Sequence, residues 1–218
     1  MPSERSVHSI RSLLKRSPLY ASFKQLGHYP DFWYWKLRGE PRRIPHLVKQ
    51  RTIVEYARAY GLNTLIETGT YYGEMVAAMV DRFRRIYSIE LDPERAAQAN
   101  QRFRGRSHVE IIHGNSQAVV PWLLDQLNEG CLWWLDAGYC GWRGTTGDST
   151  RLGSEFSAIL SHKVPGHVIL MDDADGIQDE HGSAILAQVV ASIESSYPGR
   201  EVTVAHNIMR ITPRRTVR

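Results

Sequence analysis

Residues 65–74 have the sequence Leu65-Ile66-Glu67-Thr68-Gly69-Thr70-Tyr71-Tyr72-Gly73-Glu74, and this stretch decides the fold. The apolar run from Leu62 to Ile66 predicts a buried parallel strand, and Met75 to Val80 predicts a helix. A glycine-bearing turn joins the two. Strand, glycine turn and helix in this order are typical of doubly wound folds, in which unpaired helix N–H groups face a ligand above the turn.

The residues of the turn favour one class of ligand. A dinucleotide-binding turn has a small residue where the backbone meets the pyrophosphate, whereas this turn has Tyr71. A bulky ring suits a ligand with an amino-acid tail and no phosphate. We expect Glu67 to accept a hydrogen bond from an ammonium group and the helix N–H groups to bind a carboxylate. S-adenosylmethionine carries both groups, and Gly69, Thr70 and Gly73 complete its predicted site.

A second acid follows at the end of the next predicted strand, Arg85 to Glu90. Glu90 lies about 20 residues after the glycine turn, which is the spacing expected for a carboxylate that accepts from ribose hydroxyls. A lone acid at a strand end is more often simply solvated. The glycine turn upstream at the right distance makes the ribose contact the favoured interpretation.

Four segments follow one another along the chain, each at a predicted strand end: residues 67–73, Tyr87-Ser88-Ile89-Glu90, Ile112-His113-Gly114-Asn115-Ser116 and Trp134-Leu135-Asp136. In this order they resemble successive motifs of class I S-adenosylmethionine-dependent methyltransferases. The resemblance covers about residues 45 to 212, although Tyr71 stands where a glycine is usual and Asn115 where an Asp is frequent. It implies that Asn115 pairs with the adenine amino group and that Ser116 and Asp136 also border the cofactor.

The remaining pattern completes a predicted α/β fold. We predict a Rossmann-like, doubly wound, mostly parallel seven-stranded sheet with an antiparallel C-terminal hairpin strand and an N-terminal helical extension. Ser116 is predicted to cap a helix that begins at about Ala118. The other predicted elements are a helix over His46–Tyr60 and another from Asp92, and strands over His108–His113, Cys131–Asp136, Gly166–Met171, Glu201–Ala205 and Ile208–Thr212.

Three acids end neighbouring strands: Asp136 on the fourth, and Asp172 and Asp173 on the fifth. Adjacent parallel strands lie about 4.8 Å apart, so these carboxylates are expected to converge. Clustered acids repel unless a cation joins them, and oxygen ligands suit Mg²⁺. Similar acids serve macrocin-type metal-dependent sugar O-methyltransferases, to which this chain is partly similar. The alternative is that Asp136 orients the cofactor while Asp172 and Asp173 cap and solvate a strand end. Without a metal, Asp136 or Asp172 would take the acceptor's proton as general base.

The long glycine-rich segment 138–150 is expected to hold an acceptor through Tyr139, Trp142 and Arg143. The favoured function is therefore an S-adenosylmethionine-dependent O-methyltransferase acting on a glycan, glycolipid or secondary metabolite. A non-catalytic cofactor-binding or membrane-recruited partner module is the second interpretation. A nicotinamide dehydrogenase is the third, and Tyr71 disfavours it.

The front of the chain differs from the rest in charge. Residues 1–60 have 12 Lys/Arg against 4 Asp/Glu, whereas the remainder has 15 against 19. Basic and aromatic residues alternate over 10–38, which is compatible with contact to an anionic membrane. The favoured alternative is that these rings cover an edge of the core or a homodimer contact, and an acceptor-site lid is the third. No nucleic-acid-binding signature is present, so no nucleic acid is expected.

The length and composition of the chain limit its possible domain organisation. With 218 residues, 42% of them hydrophobic, we predict one domain over 45–218 preceded by a basic, aromatic-rich extension over 1–44. No apolar run reaches the roughly 18–20 residues of a membrane span, and no secretory signal is evident. Cys131 and Cys140 are expected to be free thiols. The expected location is the cytoplasm, with an optional peripheral contact at the inner face of the membrane.

Overall fold

The computed structural model describes residues 32, 34–37, 44–136, 154–177 and 186–214, and for Asp136 it describes the backbone alone. The predictions made for the rest of the N-terminal extension and for the loop residues Tyr139, Cys140, Trp142 and Arg143 lie outside these ranges. Within them, no helix is both long enough and apolar enough to span a bilayer.

The described strands form one seven-stranded sheet in the order β3-β2-β1-β4-β5-β7-β6. The first five are parallel, and β7 is antiparallel to both of its neighbours, β5 and β6. This confirms the predicted mostly parallel sheet with its closing hairpin. The strands are β1 (Thr64–Thr68), β2 (Arg85–Glu90), β3 (Val109–His113), β4 (Leu132–Asp136), β5 (Val168–Asp172), β6 (Arg200–Ala205) and β7 (Ile208–Pro213).

Helices alternate with the strands, so the crossovers cover both faces of the sheet. Residues 32 and 34–37 are also helical, and Phe32 and Trp35 form a small apolar cluster with Leu47 and Val48. The helices are α1 (His46–Tyr60), α2 (Glu74–Met79), α3 (Pro93–Arg102), α4 (Ser116–Leu124), α5 (Ser154–Leu160) and α6 (Leu186–Ser196).

The central strand β4 shows how the core is divided. Its side chains alternate between the two faces of the sheet, as in any strand. Trp133 and Leu135 belong to the core cluster that includes residues of α4, α5 and α6. Leu132 and Trp134 belong to the cluster that includes residues of α1, α2 and α3. Adjacent tryptophans are therefore both buried, one in each layer.

The predicted start of the first strand was wrong by two residues. Gly61 ends α1 in the left-handed conformation, and the Leu62 N–H donates to the Ala57 carbonyl at 2.8 Å. Leu62 therefore closes the helix, as in a Schellman-type C-cap, and pairing with β2 begins only at Thr64. As a result Glu67 lies inside β1 and is held by the sheet.

Candidate cofactor and acceptor site

The topology places one crevice at the carboxyl ends of the parallel strands. The chain runs from β1 outward through β2 and β3, and then returns to β4 on the other side of β1. At such a switch point the connections leave in opposite directions, and ligands of doubly wound folds bind there. Glu67, the glycine turn and Glu90 all lie at this edge.

Glu67 carries a carboxyl group buried at the crevice edge of the sheet, only 3% exposed. Its Oε2 accepts from the Ser88 hydroxyl at 2.6 Å, and Ser88 and Thr70 share a further hydrogen bond of 2.6 Å. Burial raises the pKa of Glu67 to about 8, against the opposing effect of Ser88, with Glu90 adding to the rise. No basic side chain of the described ranges pairs with it. A ligand ammonium group would supply the missing cation, so Glu67 fits its predicted role.

Glu90 is fixed at both oxygens by the backbone. Its Oε2 accepts from the Tyr71 N–H at 2.7 Å, and its Oε1 accepts from the Asp92 N–H at 3.0 Å. The side chain is only 3% exposed. A carboxylate oxygen has two lone pairs, so each can still accept from a hydroxyl. The ribose contact remains a prediction, and the required fixed orientation is present.

The glycine turn depends on three residues with positive φ: Gly69 at 87°, Tyr71 at 51° and Gly73 at 70°. At Gly73 two features exclude a side chain. The positive φ favours glycine, and a Cβ there would lie 2.7 Å from the Phe103 ring. Tyr71 adopts a conformation that favours glycine, which costs on the order of 1–2 kcal/mol. Its hydrogen bond to Glu90 offsets part of that cost and ties the turn to β2.

The Tyr71 ring lies at the rim of the turn. It is 53% exposed and contacts Tyr72 edge-on, with 4.2 Å between ring centroids. The Arg95 guanidinium lies 4.8 Å from its centroid. The bulky side chain is therefore accommodated outward, against neighbours of α3 and the turn.

The prediction that Ser116 caps the following helix was wrong. Asn115 is the N-cap: its Oδ1 accepts from the Gln117 N–H at 3.0 Å, and Ser116 is the first helical residue. Asn115 has the extended backbone that an N-cap needs, and an amide oxygen is a good N-cap acceptor. Gly114 N–H donates to the Glu90 carbonyl at 2.9 Å, so this turn lies beside Glu90. The adenine contact of Asn115 and the cofactor contact of Ser116 stay predictions.

The acids at the ends of β4 and β5 are neighbours in the sheet. Asp136 pairs with Asp172 in register, as predicted, although the Asp136 side chain is outside the described part. Asp172 is only 8% exposed, and Lys49 of α1 donates a hydrogen bond to its Oδ2. Burial raises the pKa of Asp172, and Lys49 opposes that rise.

Lys49 is a residue that the sequence did not indicate. It lies 123 residues from Asp172 along the chain, and on an amphipathic helix it looks like an ordinary solvated lysine. Its ammonium nitrogen also lies 3.9 Å from the Asp173 carboxylate, which is mostly exposed. Asp173 has a left-handed backbone with φ of 52° and accepts from the Asn207 amide at 3.4 Å.

The described residues alone do not fit a magnesium site. Among them, no three His, Cys, Asp or Glu side chains are grouped so that they could hold a metal ion. Lys49 already supplies a cation between Asp172 and Asp173. A metal that uses Asp136 together with these two acids stays a prediction.

The large apolar side chains described within residues 32–37 divide into two sets by exposure. Phe32 and Trp35 are buried, at 9% and 5% exposure, whereas Tyr34 and Leu37 are 59% and 84% exposed. The Arg51 guanidinium of α1 lies 4.5 Å from the Phe32 centroid. Two of these rings therefore cover α1, which supports a packing role for them.

Comparison with known proteins gives matches at the level of structure. No family model and no curated protein matches the sequence. The SAH-bound methyltransferase PaMTH1 from Podospora anserina superposes with a TM-score of 0.57 at 16% identity, over 99% of this chain and 98% of that one.

Two O-methyltransferases are also similar. One, from Bacillus cereus in complex with SAH, has a TM-score of 0.55 at 15% identity over 76% of this chain and 80% of that one. TomG from Streptomyces achromogenes, in complex with SAM, has 0.53 at 17% over 76% and 78%. At sequence identities this low, the superpositions show a shared fold and nothing about a shared activity. This chain has the class I S-adenosylmethionine-dependent methyltransferase fold.

Proposed function

We propose that the protein is an S-adenosylmethionine-dependent methyltransferase that methylates oxygen on a small-molecule or glycan acceptor. The observation that carries the proposal is the buried Glu67 carboxyl group beside the glycine turn at the switch point, with which no basic side chain of the described residues pairs. The solved structures of similar fold include O-methyltransferases in complex with SAH or SAM, which supports the same activity.

Different residues of the chain would bind different parts of the cofactor. Glu67 would accept from its ammonium group, Glu90 from the ribose hydroxyls, and Asn115 from the adenine amino group. Gly69, Thr70, Tyr71 and Gly73 give the turn its shape, and Ser116 and Asp136 complete the predicted border. When bound, S-adenosylmethionine supplies a methyl group on a positively charged sulfur.

Lys49 and Asp172 would act on the acceptor. Methyl transfer is an in-line displacement, so the protein mainly has to position the acceptor oxygen and take its proton. The raised pKa of Asp172 makes this carboxylate a better base than a solvated aspartate. Lys49 holds one of its oxygens, which fixes its orientation. Asp172 would take the proton of the acceptor oxygen as that oxygen gains the methyl group; S-adenosylmethionine would supply the methyl group and remain as a neutral thioether.

A magnesium ion held by Asp136, Asp172 and Asp173 is a further element of the proposal. Oxygen-only ligation suits this ion, and it would polarise the acceptor oxygen. It would require Lys49 to leave Asp172. Loss of methyl transfer in excess chelator, restored by added Mg²⁺, would support the ion. Full turnover in chelator would rule the ion out and assign proton removal to Asp172, held by Lys49.

A non-catalytic module is the second candidate. The observation in its favour is that Lys49 already occupies Asp172, so the acid is engaged before any acceptor arrives. Such a protein would bind the cofactor and act through a partner or an anionic membrane surface. Its location would be the cytoplasm, at or near the inner face of the membrane.

Label transfer separates the two candidates. The protein is incubated with methyl-labelled S-adenosylmethionine and a panel of hydroxylated sugars, glycolipids and phenols. Transfer of label to any acceptor, lost in Asp172→Asn and retained in Arg58→Gln, supports the enzyme. Tight cofactor binding with no transfer of label to any acceptor of the panel favours the non-catalytic module.

A further inference from the structure

A pocket of about 390 Å³ lies between the helical residues 32 and 34–37, α1 and the β6–β7 hairpin. None of the residues that line it belongs to the glycine turn. Its volume lies in the range of sites that bind small molecules. Its lining combines aromatic rings with basic side chains.

Three aromatic side chains supply flat walls: Phe32, Trp35 and Tyr56. Phe32 and Trp35 are tilted against each other with 6.2 Å between centroids. Trp35 also meets the His206 ring edge-on at 5.5 Å. Aromatic faces in this arrangement favour a flat or ring-shaped ligand.

Three basic side chains line the same pocket, Lys36, Arg51 and Arg210, against one carboxylate among the described lining residues, that of Glu55. Arg210 is only 7% exposed and donates to the Ala205 and Ile208 carbonyls at 2.7 and 2.9 Å. None of the three cations forms an ion pair with a carboxylate within the described ranges. A buried cation without an ionic partner favours an anionic ligand.

The pocket adjoins the acceptor end of the sheet. Val48, which lines it, is the neighbour of Lys49 in α1. His206, which also lines it, precedes Asn207, and Asn207 bonds both the Asp173 carboxylate and the Ala174 N–H. A ligand seated here would therefore lie beside the Lys49–Asp172 pair.

We propose that this pocket binds a ring-bearing anion, and that the anion is the carboxylate, sulfate or phosphate part of the methyl acceptor. The binding rests on the pocket alone, and its meaning as acceptor recognition rests on the proposed function. The aromatic walls pack against the flat part of the ligand, and its charge is taken by Arg51 and Lys36, which lie over the Phe32 ring, and by Arg210, which lies over the Tyr56 ring. Glu55 limits affinity by repelling it.

Calorimetry of the full-length protein with 2-naphthoate and the neutral 2-naphthamide tests the charge requirement. The two probes share one ring system and differ in charge, so the naphthoate should bind about tenfold tighter. Equal affinity of the two probes would overturn the proposal.

Three variants of α1 test the location. Arg51→Gln should weaken naphthoate binding about tenfold, and Glu55→Gln should tighten it several-fold, a gain that misfolding cannot produce. Arg58→Gln removes an exposed charge of the same helix outside the pocket and should leave affinity unchanged. An Arg58→Gln loss as large as that of Arg51→Gln would mean general surface attraction and would refute the site.

Titration of the same samples with S-adenosylhomocysteine keeps the two proposals apart. Binding of S-adenosylhomocysteine without binding of naphthoate refutes the pocket and leaves the proposed function intact. Binding of naphthoate without S-adenosylhomocysteine supports the pocket and refutes the methyltransferase.

Discussion

Glu67 couples the cofactor site to pH. Its folded-state pKa of about 8 lies above the ordinary value of 4.5, so between these values the folded protein holds a proton that the unfolded chain has lost. Rising pH through this window therefore destabilises the unliganded protein. A cationic ammonium group prefers the ionised carboxylate and should expel that proton on binding.

S-adenosylhomocysteine should therefore bind more tightly as pH rises from about 6 to about 7.5, by up to about tenfold per unit. Calorimetry in buffers of different ionisation enthalpy should detect the release of close to one proton. Glu67→Gln carries no titrating group there and should lose both the release and the pH dependence. A wild-type protein that binds without proton release would show that Glu67 does not face the ammonium group.

The coupling between Lys49 and Asp172 can be tested by a stability measurement, without a known methyl acceptor. Both side chains are mostly buried, at 19% and 12% exposure, so Lys49→Met leaves a carboxylate uncompensated. We expect a loss of about 1–3 kcal/mol of unfolding free energy, measured by denaturant titration. In an Asp172→Asn background the same change should cost much less, because no charge is left unpaired. Additive effects of the two changes would show that the pair is not coupled.

At the scale of the elements, β4 and β5 are joined at their amino ends by a buried histidine. His167 Nδ1 accepts from the Cys131 N–H at 3.1 Å and the Trp133 indole at 3.3 Å. Burial, with His162 and Arg200 nearby, lowers the pKa of His167 to about 4. Because this lies below the ordinary 6.5, stability should be lost as pH falls from about 6.5 towards about 4.

The loss should approach about 3 kcal/mol at most, since one pKa unit is worth about 1.4 kcal/mol. Unfolding free energies at about pH 7 and about pH 4 measure it. His167→Gln keeps a polar group without titrating, so the difference between the two pH values should shrink. An equal pH difference in the variant would assign the acid sensitivity to other groups.

The same elements show what a sequence can and cannot predict. Strands ending in acids follow from local patterns, so Glu67, Glu90 and Asp172 could be placed at one edge of the sheet. The N-cap of α4 was assigned one residue late, because asparagine and serine are both good caps and only the backbone decides between them. Lys49 escaped detection because its partner is distant in sequence and the helix itself gives no reason to single it out.

At the scale of the whole molecule, the described residues at the basic front of the chain include both packed and exposed apolar side chains. Phe32 and Trp35 pack on α1, so they are engaged by the protein itself. Tyr34 and Leu37 are exposed beside Lys36 and could enter a membrane interface. The segment 10–38 therefore keeps its predicted contact with anionic lipid, and homodimerisation through this face stays a prediction as well.

Liposome co-sedimentation tests the membrane contact. Vesicles with anionic lipid should retain the full-length protein, and Tyr34→Ser combined with Leu37→Ser should reduce the bound fraction several-fold. A truncated protein that starts at Ile44 should be released. Trp122→Ser, at an exposed tryptophan on α4, serves as the control for loss of surface apolar area. Equal retention of all four proteins would leave the N-terminal residues with a packing role only.

The central claim is that the switch-point crevice binds S-adenosylmethionine, and calorimetric titration with S-adenosylhomocysteine and NAD⁺ tests it most directly. The account predicts micromolar binding of S-adenosylhomocysteine, about −8 kcal/mol, and no heat with NAD⁺. Glu90→Gln keeps the size of the side chain and removes its charge, so affinity should fall about tenfold or more. Binding of NAD⁺ with no response to S-adenosylhomocysteine would contradict the claim.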